Sequence, residues 1–151
     1  MHLILCLAGL VLIAPASAAE PAAVMQQRYT SFLTAQGLPN EVDSDGDVRF
    51  QRSFRGGELS YFIDVDPSDP EYFAVVLPNI WSFRKKKERM RVLAALDLVN
   101  GGIKVTKASL VGNNVWLSVE LFVSEPDAFG PLFDRSMSAM DDACELFLSE
   151  M

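Results

Sequence analysis

The sequence predicts an α+β domain: a mainly antiparallel five-stranded sheet with flanking helices, in the order α-β-β-β-α-β-β-α. Three observations carry this. Stretches with apolar residues at three-to-four spacing alternate with stretches of period two. The period-two stretches are separated by short Gly- and Asn-bearing turns, which make neighbouring strands antiparallel. Helical stretches stand at both ends and once in the middle, where they can cover a sheet.

The chain has 151 residues, which suits one domain. Residues 1–18 read as a signal peptide: "LILCLAGLVLIA" is an apolar run of the right length, and small Ala16 and Ala18 place cleavage after Ala18. An uncleaved anchor is the alternative, because Met1-His2 supplies no Lys or Arg; the run is nevertheless shorter than the roughly 20 apolar residues of a spanning helix. Cys6 stands too early for a lipid-modified cysteine. Removing 18 of 151 residues leaves 133, residues 19–151, as one domain large enough for a core. The expected location is periplasmic or secreted, with no stable membrane anchor after cleavage.

Residues from about Pro21 to Leu38 show a helical face of Val24, Met25, Tyr29, Phe32 and Leu33, ended by Gly37 and Pro39. "DVRFQRSF" alternates, "RGGE" turns, and "LSYFIDVD" alternates again, with Phe62 opposite the Leu59, Tyr61, Ile63 and Val65 face. "EYFAVVLP" is a more continuous apolar run, as in a strand covered on both faces, and Pro78 ends it. A helix from about Phe83 to Asn100 is expected to bury Met90, Leu93, Ala94, Leu96 and Val99, with Gly101-Gly102 stopping it. "IKVTKASL" and "NVWLSVELFV" flank the "VGNN" turn. The last helix is expected to start near Ser124 as N-cap, with Asp127 three residues on. Its stripe runs through Phe129, Leu132, Phe133, Met137, Met140, Cys144, Phe147 and Leu148.

Composition excludes several chemistries. The only His is His2, inside the expected signal, so the mature chain has no His-dependent triad and no His-rich zinc site. Without Cys6 only Cys144 remains, so no intramolecular disulfide forms, and its place on an apolar stripe predicts a buried thiol. All 13 Lys and Arg and all 20 Asp and Glu lie beyond residue 18, so the mature charge is −7. Such a chain gains nothing from phosphate electrostatics, so no nucleic-acid partner is expected; anionic surfaces repel it at long range. No phosphate loop, dinucleotide glycine pattern or Cys-x-x-Cys occurs, and no cofactor is expected.

"EVDSDGDVRF", Glu41 to Phe50, has the opening of a calcium loop of the helix-loop-helix kind: with Gly46 at position 6, Glu41, Asp43 and Asp45 fall at positions 1, 3 and 5. Position 12, which must supply a bidentate carboxylate, is Arg52, and a strand follows in place of a helix. The stretch therefore reads as a turn, with Gly46 at positive φ, and no metal site is expected.

Three stretches, "DGDVRF", "DPEYFAVVLPNIW" and "NNVWLSVELF", joined by "LDLVNGGIKVTKASL", together with the order of elements, resemble the YbjN-type bacterial domain family, whose fold is similar to that of type III secretion chaperones. The likeness spans roughly Gln26 to Phe147. It implies a non-catalytic binding protein, chaperone-like or regulatory, since chaperones of that fold are small acidic dimers that hold extended segments of a partner. A protein partner and a homodimer are the expected associations. Typical members work in the cytoplasm, so an exported chain would depart from the pattern.

"LPNIWSF", with Pro78, Asn79, Trp81 and Phe83, is the first candidate partner surface, because Trp is enriched at interface hot spots; a corner closing the core is the alternative. Trp116 is the second, on the Trp116, Ser118, Glu120 and Phe122 side of its strand, if helices cover the Val115, Leu117, Val119 and Leu121 side alone. The basic run "RKKKER", Arg84 to Arg89, puts positive charge at a helix start, either as a solvated face or as a docking patch for an acidic partner or lipid headgroups. A carboxylate-only enzyme would need Asp64 or Asp66 buried in a cleft with a raised pKa; Asp141-Asp142 read as surface. A small-ligand binder would need an apolar cavity of about 300 Å³ or more between sheet and helices.

Overall fold

The computed structural model describes residues 19–151; the expected signal peptide, with Cys6 and His2, lies outside them. Helix α1 (Ala22–Ala35) is followed by strands β1 (Asn40–Val42), β2 (Val48–Phe54), β3 (Gly57–Ile63) and β4 (Tyr72–Ser82). Helix α2 (Lys86–Gly102), β5 (Thr106–Val111), β6 (Asn114–Phe122), a 3-10 turn (Pro126–Phe129) and α3 (Gly130–Glu150) complete it. The fold class is as the sequence predicts, α+β with an antiparallel sheet, but the sheet has six strands in the order β1-β2-β3-β4-β6-β5. The extra strand is β1, three residues after Pro39 that are too few and too polar to show alternation.

Local chemistry sets the turns. Arg55 and Gly56, both at positive φ, join β2 to β3 as a two-residue hairpin, and Gly112-Asn113 join β5 to β6. The Asp43–Asp47 loop links β1 to β2. There Asp43 Oδ1 accepts from the N–H groups of Asp45, Gly46 and Asp47 at 2.9, 3.0 and 3.1 Å, and Gly46 stands at φ +98°. Glu41 pairs with Arg49 across the strands at 3.1 Å. Two of the three calcium-like carboxylates thus have structural duties.

The helices share one face of the sheet. Met25, Tyr29 and Leu33 of α1, and Phe133, Met137, Met140, Cys144 and Phe147 of α3, bury against the odd-numbered face: Tyr61, Ile63, Phe73, Val75, Leu77, Val115, Leu117 and Val119, with Phe50 of β2. Phe129 and Phe133 tie the layers, meeting Phe32 edge-on at 4.9 and 5.1 Å. Each such ring, fully buried, contributes about 1.5–3 kcal/mol. Arg28 clamps the segment before α1 to the 3-10 turn, reaching Glu20 and Asp127 at 2.7 Å each.

Four expectations need correction. Helix α2 buries Leu96 and Val99 as expected, together with Val92 and Ala95, but Met90 is 64% exposed and Ala94 is exposed, because the helix has apolar residues on two sides. Gly101 and Gly102 belong to the helix, which ends at Ile103, whose N–H bonds Val99 O. Pro78 does not end β4. Three residues, 78–80, stand opposite Trp116 between the pairs Leu77–Leu117 and Trp81–Val115, and this bulge carries the strand past the proline. Finally, no side chain caps α3; the chain first makes the 3-10 turn, and α3 begins at Gly130-Pro131, where a missing proline N–H costs nothing.

Candidate functional site

The sheet's other face has no helix on it among the described residues. The sequence predicts β4 covered on both sides; instead Tyr72 and Val76 lie on the outer face, only partly buried, with small Ala74 covered between them. Successive register pairs assemble a surface. Arg49, Phe62, Val76, Ser118 and Lys107 form one row across β2, β3, β4, β6 and β5. Tyr72 faces Phe122 in another, rings 5.7 Å apart, and Ala74 faces Glu120 between them. Trp116 stands beyond Ser118, paired with Ser109. Phe62, Tyr72, Val76 and Trp116 are only partly buried, and Phe122 is 80% exposed.

The surface carries both signs of charge. Lys107 lies 2.6 Å from the Glu120 carboxylate, which also accepts from Ser118 Oγ at 2.8 Å. Burial alone would raise the Glu120 carboxyl, yet these hydrogen bonds hold it below its usual range. Burial, with Glu120 and Asp64 nearby, pushes Tyr72 up to about 12. Asp64, whose N–H bonds Ala74 O at 3.1 Å, is half-buried at the same end. Burial first, then the charges of Asp47, Asp66 and Glu120, raises its pKa. Asp66 is instead lowered by the hydroxyl and N–H of Ser68.

The five candidate partner residues divide between the two faces. Trp116 is on the bare face, and its indole N–H donates to Asn79 Oδ1 at 3.2 Å. Asn79, exposed at φ +58°, and Pro78 form the bulge beneath it. Trp81 points to the helix side, 6.4 Å from the Phe147 ring, its N–H bonded to Glu88 at 3.1 Å. Phe83 is core, 5% exposed. "LPNIWSF" is therefore half bulge on the bare face and half core corner. Tyr72 was not singled out in the sequence; its partner Phe122 was legible from alternation, but nothing in the sequence says which face the helices choose.

On the helix side, an open groove of about 610 Å³ is lined by Ile103, Val105, Leu121, Leu132, Arg135 and Ala139. It meets the size expected of a small-ligand site. Cys144 is buried as expected, and burial pushes its thiol to about 11.

No family model matches the chain, and no curated protein matches it. Among solved structures it is similar to the one described as "YbjN, a putative transcription regulator from E. coli", at TM-score 0.55 and 13% identity, covering 77% of this chain and 85% of that one. The chain has a YbjN-like fold.

Proposed function

We propose that this chain is an exported, non-catalytic binding protein, chaperone-like or regulatory, that works through the bare face of its sheet. The single observation behind this is the placement of all three helices on one face, with Phe62, Tyr72, Val76, Trp116 and Phe122 left on the other. Large apolar side chains left partly exposed on one sheet face beside polar groups mark an interaction surface. Its first occupant is a second copy of the chain. The apolar side chains beside Lys107, Glu120 and Asp64 offer both signs of charge, which suits a self-complementary two-fold interface. Trp116, held by Asn79, is the anchor; Trp81 and Phe83 support the corner from the core side.

Export and the single domain over residues 19–151 rest on the signal-like run and on Ala16 and Ala18. The similar YbjN structure is described as "a putative transcription regulator", which suits a regulatory role for the shared fold. A carboxylate enzyme is the second reading, favoured only by the raised pKa of Asp64, which stands on the open sheet face beside Glu120. The deciding experiment is affinity capture from periplasmic extract by tagged protein, with Trp116→Ala beside Trp81→Ala. Specific capture should fail with the first change and survive the second. Capture that ignores Trp116 would overturn the proposal.

A further inference from the structure

The eight residues Arg84–Arg91 hold six of the chain's 13 Lys and Arg and one of its 20 Asp and Glu. Their local charge is +5, so −12 is spread over the rest. The cluster sits where a helix does not favour it. No side chain caps α2 at Lys85, and the positive end of the helix dipole adds to the cations. Lys85 with Arg89, and Lys87 with Arg91, are like charges four residues apart. Among the described residues none of the six joins a salt bridge; Glu88, the nearest acid, is bonded to Trp81, and Arg91 donates to Glu150 O at 2.6 Å. Arrangements that break a local rule without internal compensation point to function.

The same helix has a second apolar stripe that faces outward. Met90 is 64% exposed, Ala94 is exposed and Leu98 is 49% exposed, recurring every four residues, while Val92, Ala95, Leu96 and Val99 face the core. At 100° per residue, Lys86 and Lys87 flank Met90 on this outward arc, and Asp97 is the acid on it, two turns on. Cations grouped around the exposed Met90 match the composition of a helix end that lies on a lipid interface. A polyanion read by charge alone gives Met90 and Leu98 nothing to do.

We propose that the outer face of α2 docks on an anionic lipid surface, with the Arg84–Arg91 cations on the headgroups and Met90 at the interface. The net charge of −7 does not prevent it, since at 0.1 M salt fields fade over about 10 Å and only the contacting side is felt. Docked this way, the protein turns the bare sheet face, on the far side from the helix layer, toward solution. This goes beyond the protein-binding reading and does not depend on it.

The test is co-sedimentation of residues 19–151, which carry every element and the core, with vesicles of equal parts phosphatidylglycerol and phosphatidylcholine, against phosphatidylcholine alone. Binding should be at least about tenfold tighter to the anionic vesicles and fall as salt rises. It should be lost in the Lys86→Glu, Lys87→Glu double variant and weakened, with its salt dependence kept, in Met90→Ser. These sites are exposed, and circular dichroism checks that both variants fold. Equal binding to the two vesicles, or undiminished binding of the charge-reversed variant, would overturn the proposal. So would full competition by soluble glycerol phosphate with Met90→Ser unaffected, which assigns the cations to free phosphate.

Discussion

Asn79 holds Trp116 across the sheet: the indole N–H donates to Asn79 Oδ1 at 3.2 Å, from a residue whose backbone stands at φ +58° within the β4 bulge. Asn adopts that left-handed conformation at a lower cost than Ala, because its short polar side chain can hydrogen-bond locally. Asn79→Ala should therefore lose about 1 kcal/mol of stability in urea unfolding. Asn79→Gly should stay near the parent, because glycine adopts the backbone freely, while releasing the indole. Equal losses for both would show that the bond, and not the backbone, dominates.

The outer edge of the sheet is plugged by a side chain. Asn100 of α2 donates to Ala108 O at 3.0 Å and accepts from Ala108 N at 2.8 Å, taking the place of a further strand on β5. Asn100→Ala should cost about 1–2 kcal/mol and leave a strand edge open to pairing. Thermal unfolding and the concentration dependence of light scattering check both effects.

Arg52, the residue that breaks the calcium pattern, joins β2 to α3 through two bonds of 3.0 Å to Asp141. Its side chain is 26% exposed and that of Asp141 30%. Arg52→Met should destabilise by about 1–2 kcal/mol by leaving the carboxylate without its partner. The double change with Asp141→Leu should recover part of that loss, as a double-mutant cycle will read.

Asp64 is penalised in its charged form, because burial and three neighbouring acids raise its pKa in the folded chain. An acid whose folded pKa is raised destabilises the fold above that pKa, and the penalty disappears as pH falls below its unfolded value of about 3.9. Asp64→Asn should therefore stabilise the protein at neutral pH, with the gain shrinking as pH falls through the carboxylate range. Melting temperatures of the two proteins across that range measure it; a variant less stable at neutral pH would contradict the reading.

The buried thiol checks the packing of α3 on the sheet. With its pKa pushed to about 11 by burial, Cys144 should react with a thiol reagent only as residues 19–151 unfold, so the labelling rate should follow denaturant. Fast labelling of the native chain would place α3 off the sheet.

The long amphipathic elements were legible in the sequence from their apolar stripes: Met25, Tyr29 and Leu33 on α1, and Phe133 through Phe147 on α3, are buried as their spacing predicts, although Val24, placed on the same α1 face, is 46% exposed. Helix α2 was not, because Met90 and Ala94 share its apolar pattern with Val92 and Ala95, and only the packing tells inner from outer. At the candidate site, Trp116 and Asn79 could be named from the sequence, but their contact depends on the bulge after Leu77, and a proline there reads as a strand end. That the helices leave the Trp116 side bare is a property of chain packing, since both faces of β6 hold large apolar residues.

The bare face as an interaction surface is tested most directly by sedimentation equilibrium of residues 19–151 at concentrations on the order of tens of micromolar, with Phe122→Glu alongside. Phe122 is 80% exposed, so the variant should fold as the parent does, as circular dichroism will check. The parent should be a dimer and Phe122→Glu a monomer. A monomeric parent, or a dimer that Phe122→Glu leaves intact, would contradict it.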